Sequence, residues 1–213
     1  MFKRAYVEIT NVCNLRCSFC PGTRRAHRRL TAEEFRILAE KLRGHTSYLY
    51  LHVLGEPLLH PELAQILAIA AELGFRVCIT TNGTLIPERL DILREAKALH
   101  KVSISLHSFE GNDCPGDLKD YIASCARAAA ELSERGVICA LRLWNEGGQE
   151  EKNGEILDIL TETLGRDVRA SEKDRRGNLR LADRLFLENA SKFEWPDLQA
   201  QEGGVEFCHG LRQ

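Results

Sequence analysis

Three cysteines cluster near the start of this 213-residue chain: Cys13, Cys17 and Cys20, spaced Cys-x3-Cys-x2-Cys. Thiolates are soft, strongly donating ligands, and three of them on one loop can converge on a metal centre. Structural zinc usually takes four protein ligands presented as two separated pairs. The other five cysteines stand apart at 78, 114, 125, 139 and 208, so no second pair exists. An iron–sulfur cubane held by three thiolates keeps one iron without a protein ligand, open to an exogenous one. Spacing therefore favours a cluster over zinc. Cys78 and Cys139, in strand-like apolar runs, and Cys125, in an alanine-rich helix, read as small buried hydrophobes.

A loop of thiolates needs a scaffold, and the rest of the chain supplies the pattern of one. Short apolar runs at Ala5–Ile9, Ser47–Val53, Arg76–Thr80, Lys101–Leu106, Val137–Leu143 and Asp167–Ser171 predict strands. Amphipathic stretches at Thr31–Arg43, Pro61–Leu73, Pro87–Ala98, Asp117–Arg135 and Glu150–Leu164 predict helices between them. Thr31-Ala32-Glu33-Glu34 is a capping box, and the Asn145–Gly154 stretch is expected to be the most mobile loop. Alternating strands and helices imply parallel strands with crossovers, an α/β sheet or partial barrel whose chemistry gathers at the strands' carboxyl ends. The unusual residues obey that rule. The cysteines follow strand one, Gly55-Glu56-Pro57 strand two, Thr81-Asn82-Gly83 strand three, and His107-Ser108 strand four.

The segment Cys13-Asn14-Leu15-Arg16-Cys17-Ser18-Phe19-Cys20, with its aromatic residue before the last cysteine, resembles the signature of the radical S-adenosylmethionine (SAM) superfamily. The resemblance extends over roughly residues 5 to 145. It implies a partial (β/α)6 barrel of parallel strands with outer helices. It further implies a 4Fe-4S cluster on Cys13, Cys17 and Cys20, whose open iron chelates the amino and carboxylate groups of SAM. An electron passed to the sulfonium would then yield methionine and a 5′-deoxyadenosyl radical, which takes a hydrogen from the substrate. Gly55 and Glu56 resemble the family's element for the methionyl amino group, although Leu54 stands where a first glycine is common. By the resemblance, Ser105 is the counterpart of a serine near the ribose or the carboxylate of SAM, Arg142 that of an arginine for the SAM carboxylate, and Phe19 would lie beside adenine. Period-two alternation turns Ser103, Ser105 and His107 to one face. His107 reads equally as a structural histidine or a ligand contact, Arg142 equally as a SAM contact or half of an internal ion pair. Asn82 is readable as a turn residue tolerant of positive φ.

The resemblance also implies a one-electron donor such as flavodoxin or ferredoxin, and by likeness to the SPASM or twitch members a peptide or protein substrate. Arg24-Arg25-Ala26-His27-Arg28-Arg29 could dock an acidic donor or an anionic substrate, or be a solvated loop. Residues 1–172 are expected to form the core and 173–213 a C-terminal segment. Within it, Asp174–Asn178 reads as a turn, and Cys208-His209-Gly210 resembles the opening of a truncated auxiliary-cluster extension. A formal charge of −2 gives no general argument for nucleic acid. No apolar run is long enough for a membrane span or a signal core, so a cytoplasmic enzyme is expected. The alternative is a non-catalytic metal- or cluster-binding module that retains the fold.

Overall fold

The computed structural model describes residues 2–109, 112, 117–147 and 150–191. Strands β1 (Ala5–Tyr6), β2 (Tyr48–Tyr50), β3 (Arg76–Thr81), β4 (Leu99–Ser105) and β5 (Ile138–Glu146) alternate with helices α1 (Ala32–Leu42), α2 (Leu63–Glu72), α3 (Ile86–Glu95), α4 (Leu118–Glu134) and α5 (Asn153–Leu164). A hairpin of β6 (Leu179–Ala182) and β7 (Leu185–Ser191) follows. One sheet runs in the order β1-β2-β3-β4-β5-β7-β6, parallel throughout except for the antiparallel β6. The fold is an α/β partial barrel: the sheet does not close.

Alternation along the strands decides what each face meets. Leu49, Val77, Ile79, Val102, Ile104, Leu141 and Leu187 are almost wholly buried in one core with Ile66, Leu67, Ile122, Ala126 and Leu160 of the helices. Registered pairing puts a different set on the concave face: Tyr48 and Tyr50, Cys78 and Thr80, Lys101, Ser103 and Ser105, Arg142, and Glu188. An apolar outer face and a polar inner one are what a barrel with a working interior requires.

Local signals hold α1 as read. The Thr31 hydroxyl accepts from the Glu34 amide at 3.1 Å, and Glu34 Oε2 accepts from the Thr31 amide at 2.9 Å. The sixth strand is a correction. Asp167–Ser171 forms turns and bends, because Val168 is its one buried apolar residue and nothing alternates with it. The strand parallel to β5 is instead β7, so residues 179–191, read as part of the C-terminal segment, belong to the same sheet. Of the stretch Asn145–Gly154, residues 148 and 149 lie outside the described residues. β5 runs to Glu146, and the Asn145 and Asn153 side-chain amides pair reciprocally at 2.9 and 3.2 Å. Cys114 and Cys208-His209-Gly210 lie outside the described residues.

Candidate active site

The cysteine loop leaves β1 and returns to α1 through a zipped base. Leu30 N donates to Ile9 O at 2.9 Å, Thr10 bridges Arg29, and Asn11 N donates to Arg28 O at 3.2 Å. The Asn11 side chain closes the neck, donating to Ala26 O at 2.9 Å and accepting from Arg28 N at 2.7 Å. Above this neck the three cysteines border one cavity of ≈ 570 Å³, together with Phe19, Gly55, Glu56 and Ser105. All three thiols are free; Cys17 is half-buried, Cys13 and Cys20 exposed.

Gly55 docks the β2 loop against that neck. Its φ is +81°, and a Cβ there would stand 2.5 Å from Thr10 O and 2.9 Å from Asn11 Cα. Only glycine allows both the left-handed backbone and this approach. The next amide, Glu56 N, donates to Val12 O at 2.8 Å. The Glu56 side chain is 1% exposed. Oε1 accepts from the Thr81 hydroxyl at 2.7 Å and Leu58 N at 3.0 Å, while Oε2 accepts from Asn82 N at 2.7 Å. Burial pushes its carboxyl pKa up, and these three donors oppose the push. A carboxylate has roughly four acceptor positions. With three filled, Glu56 has capacity for about one further donor.

Asn82 does more than turn the chain. Positive φ falls on Gly83, not on Asn82. The Asn82 amide donates to Asn14 Oδ1 at 2.9 Å and reaches Cys13 Sγ at 3.9 Å. Cys13 also accepts from Leu15 N at 3.4 Å. Asn112, which sequence reasoning did not single out, clamps the loop from the β4 side. It donates to Cys17 Sγ at 3.1 Å and Ser108 O at 2.7 Å, and accepts from Arg16 N at 2.7 Å. Burial raises the Cys13 and Cys17 thiols, and these hydrogen bonds pull the other way.

Ser105 ends β4 at the cavity wall. The chain then enters a short 3₁₀ turn, Leu106–Ser108, so strand alternation stops before His107. His107 is buried, its Nδ1 3.2 Å from Arg142 O and 3.3 Å from Trp144 N, and Phe19 packs on it at 4.9 Å between ring centroids. These contacts tie it to β5 as a structural histidine. Burial lowers its pKa, and the contact with Arg142 O opposes that shift.

Arg142 makes an ion pair across the concave face. Its Nε donates to Glu188 Oε2 at 2.9 Å, both side chains being 15% exposed, and its guanidinium lies 4.2 Å from the Trp144 ring centre. It does not border the cavity, although Nη1 reaches Thr80 Oγ1, a lining residue, at 3.4 Å. Burial works to raise the Glu188 carboxyl; Arg142 and Lys101 outweigh it and hold the group low. Glu188 was missed because it lies where the sequence pattern weakens. His52, also missed, carried a signal: it follows Tyr48 and Tyr50 at period two. It lines the cavity beside Thr80, with Nε2 at 3.1 Å from Thr80 Oγ1, while its buried Nδ1 has no hydrogen-bond partner among the described residues. In the arginine run, Arg25 pairs with Glu8 and Arg28 with Glu34 at the surface.

Among the described residues no three His, Cys, Asp or Glu side chains close around a single metal ion. Thiolates sharing one zinc would lie about 4 Å apart. A cubane spreads its ligands over separate irons, and three thiols around one cavity, supported by amide donors, fit that group.

The chain belongs to the radical SAM superfamily, whose model matches residues 7–143. Fe-coproporphyrin III synthase of Methanosarcina barkeri is 29% identical over 73% of this chain and 40% of its own length. GTP 3′,8-cyclase of Chlorobaculum tepidum is 37% identical over 49% of this chain and 32% of its own. The chain thus spans less than half of either relative. Streptococcus suis SuiB, solved bound to S-adenosylmethionine, shares the fold with a TM-score of 0.58 at 20% identity, covering 75% of this chain and 38% of SuiB. BtrN in complex with AdoMet and 2-DOIA gives 0.52 at 23%, covering 66% and 56%. Among the described residues no helix is long and apolar enough to cross a membrane.

Proposed function

We propose that this chain is the catalytic core of a radical SAM enzyme, with a 4Fe-4S cluster on Cys13, Cys17 and Cys20 and SAM in the adjoining cavity. When bound, such a cluster would supply the one-electron chemistry for reductive cleavage of SAM. The observation that carries the reading is the single cavity shared by the three thiols, Gly55, Glu56 and Ser105. Glu56 accepts from the methionyl ammonium through its remaining acceptor position, a charge-assisted bond well suited to a site sheltered from water. Gly55 lets that carboxylate sit against the cysteine loop, Phe19 packs beside adenine, and Ser105 faces the ribose. Arg142 serves the SAM carboxylate only if its fork is shared with Glu188.

For the electron donor we propose a flavodoxin or ferredoxin, because reductive cleavage of SAM needs an external one-electron reductant. For the substrate we propose a peptide or protein. Support for this comes from the fold shared with SuiB, also solved bound to precursor peptide SuiA.

Anaerobic reconstitution tests the core of the proposal. The expected product is a brown protein that releases 5′-deoxyadenosine with dithionite and SAM, and replacing the three cysteines with alanine abolishes both colour and cleavage. A fully loaded protein without cleavage points to a non-catalytic cluster module, and a colourless protein binding one zinc at these cysteines removes the cluster assignment.

A further inference from the structure

At the start of β1 and along β2 lies a second cavity of ≈ 510 Å³. Lys3 and Arg4 precede β1, Tyr48 and Tyr50 belong to β2, and Arg176 comes from the turn before β6; all five line it. β1 and β6 are the two edges of the seven-stranded sheet. Residues from both edges share one space only because the sheet curls, so this cavity is a lateral mouth where the two edges of the partial barrel face each other.

Arg176 is carried there on a built turn. Asp174 Oδ1 accepts from Arg176 N at 2.7 Å and Asn178 N at 3.0 Å, Oδ2 accepts from Asn178 Nδ2 at 3.0 Å, and Asp174 N donates to Asn178 O at 2.8 Å. This Asx-type turn occupies the Asp174 carboxylate with its own backbone. Around the mouth, the Arg4 guanidinium lies 5.5 Å from the Tyr50 ring centre and 5.9 Å from that of Tyr6. Arg76 Nη1 donates to the Tyr48 hydroxyl at 2.8 Å. Lys3, Arg76 and Arg176 make no salt bridge among the described residues. Lys3 and Arg176 in the concavity, with Arg76 beside it, thus focus a positive potential there.

The mouth and the cysteine-side cavity share a wall. Tyr48 and Tyr50 line the mouth and His52 the cysteine-side cavity, with Tyr50 and His52 ring centres 5.9 Å apart. Four residue steps lead from Tyr48 to His52, about 13 Å at the rise of extended chain.

We propose that the basic mouth is an anion site that holds a phosphate or carboxylate group at one end of an elongated substrate, while the other end reaches the cysteine-side cavity. The site rests on its own geometry; its link to the substrate rests on the function proposed above. Guanidinium forks and an ammonium bind either oxyanion, and the tyrosine and imidazole rings offer an amphipathic wall to what lies between.

Calorimetric titration of the reconstituted wild-type protein with pyrophosphate, and separately with tetraglutamate, tests this. At least one should bind saturably, and the tighter of the two identifies phosphate or carboxylate as the preferred group. A Lys3→Ala/Arg176→Ala variant, altered only at exposed positions, should weaken that binding about tenfold, the loss of two partly screened charge contacts. Its iron content and its release of 5′-deoxyadenosine from SAM without substrate should stay at the wild-type level. Binding by neither probe, or equal binding by the variant, overturns the anion site. Wild-type protein that binds pyrophosphate but cleaves no SAM counts for the site and against the catalytic function.

Discussion

Glu56 and His52 are both polar side chains at the top of β2, and the protein treats them in opposite ways. Glu56 is surrounded by donors from Thr81, Asn82 and Leu58. His52 has Thr80 on one nitrogen and no partner among the described residues on the other. Burial, with Arg142 adding to it, pushes the His52 pKa down from 6.5 to about 4. The unfolded chain therefore binds a proton near pH 6.5 that the folded one refuses until near pH 4. Across that window the unfolded state holds more protons, so stability is fully present above it and falls as pH drops through it. Between pH 7 and pH 5 this ring contributes a loss of about 2 kcal/mol. Denaturant unfolding of wild type and His52→Gln at both pH values checks it: the variant should lose less on acidification by about that amount, and equal losses would show that the folded ring protonates freely. Glu56 was legible from its place after strand two. That Thr81 and Asn82, legible as residues after strand three, would donate to it was not, since they come from another strand.

Elements meet at Gly55. The β2 loop and the neck of the cysteine loop touch backbone to backbone, and beside that contact the Glu8 carboxylate accepts from Leu54 N at 3.0 Å. Alanine at this position would force a left-handed Cβ into Thr10 O and Asn11. Gly55→Ala should cost at least about 2 kcal/mol of stability, from backbone strain together with the clash. It should also lower iron incorporation, because the loop that yields is the one bearing the cysteines. Iron per chain after reconstitution and the urea midpoint test this together; wild-type values for both would mean the two loops are less tightly docked than their contact requires. The same scale explains the misplaced sixth strand. An isolated Val168 supplied apolar character without alternation, and a strand needs a paired neighbour, which β7 obtains from β5 and β6. Local composition does not encode that choice.

Across the whole molecule, Arg142 on β5 and Glu188 on β7 join two strands on the concave face, and Lys101 on β4 reaches the same carboxylate at 2.8 Å. Removing one member of a largely buried pair leaves the other charge uncompensated. Glu188→Ala should therefore destabilise the fold by about 2–4 kcal/mol. Arg142→Ala leaves Glu188 with Lys101 and should cost less. A KM for SAM in the cleavage assay that rises in Arg142→Ala but not in Glu188→Ala would give the guanidinium the SAM carboxylate as well. Equal values for wild type and both variants would make the pair purely structural. The lateral mouth belongs to this scale too, because its residues lie about 170 positions apart in the sequence and meet only through the curl of the sheet.

The amino-acid sequence determined the cysteine spacing, the α/β alternation and the positions of Gly55 and Glu56, because all three are local: ligand spacing on one loop, periodicity in one element, a turn after one strand. Tertiary structure decided the contacts made by those residues. The seventh-strand pairing, the Arg142–Glu188 bridge, the Asn112 clamp on Cys17 and the shared barrel mouth each join groups from separate elements. Their energies depend on burial and distance, quantities that arise only once the sheet has curled around its polar interior.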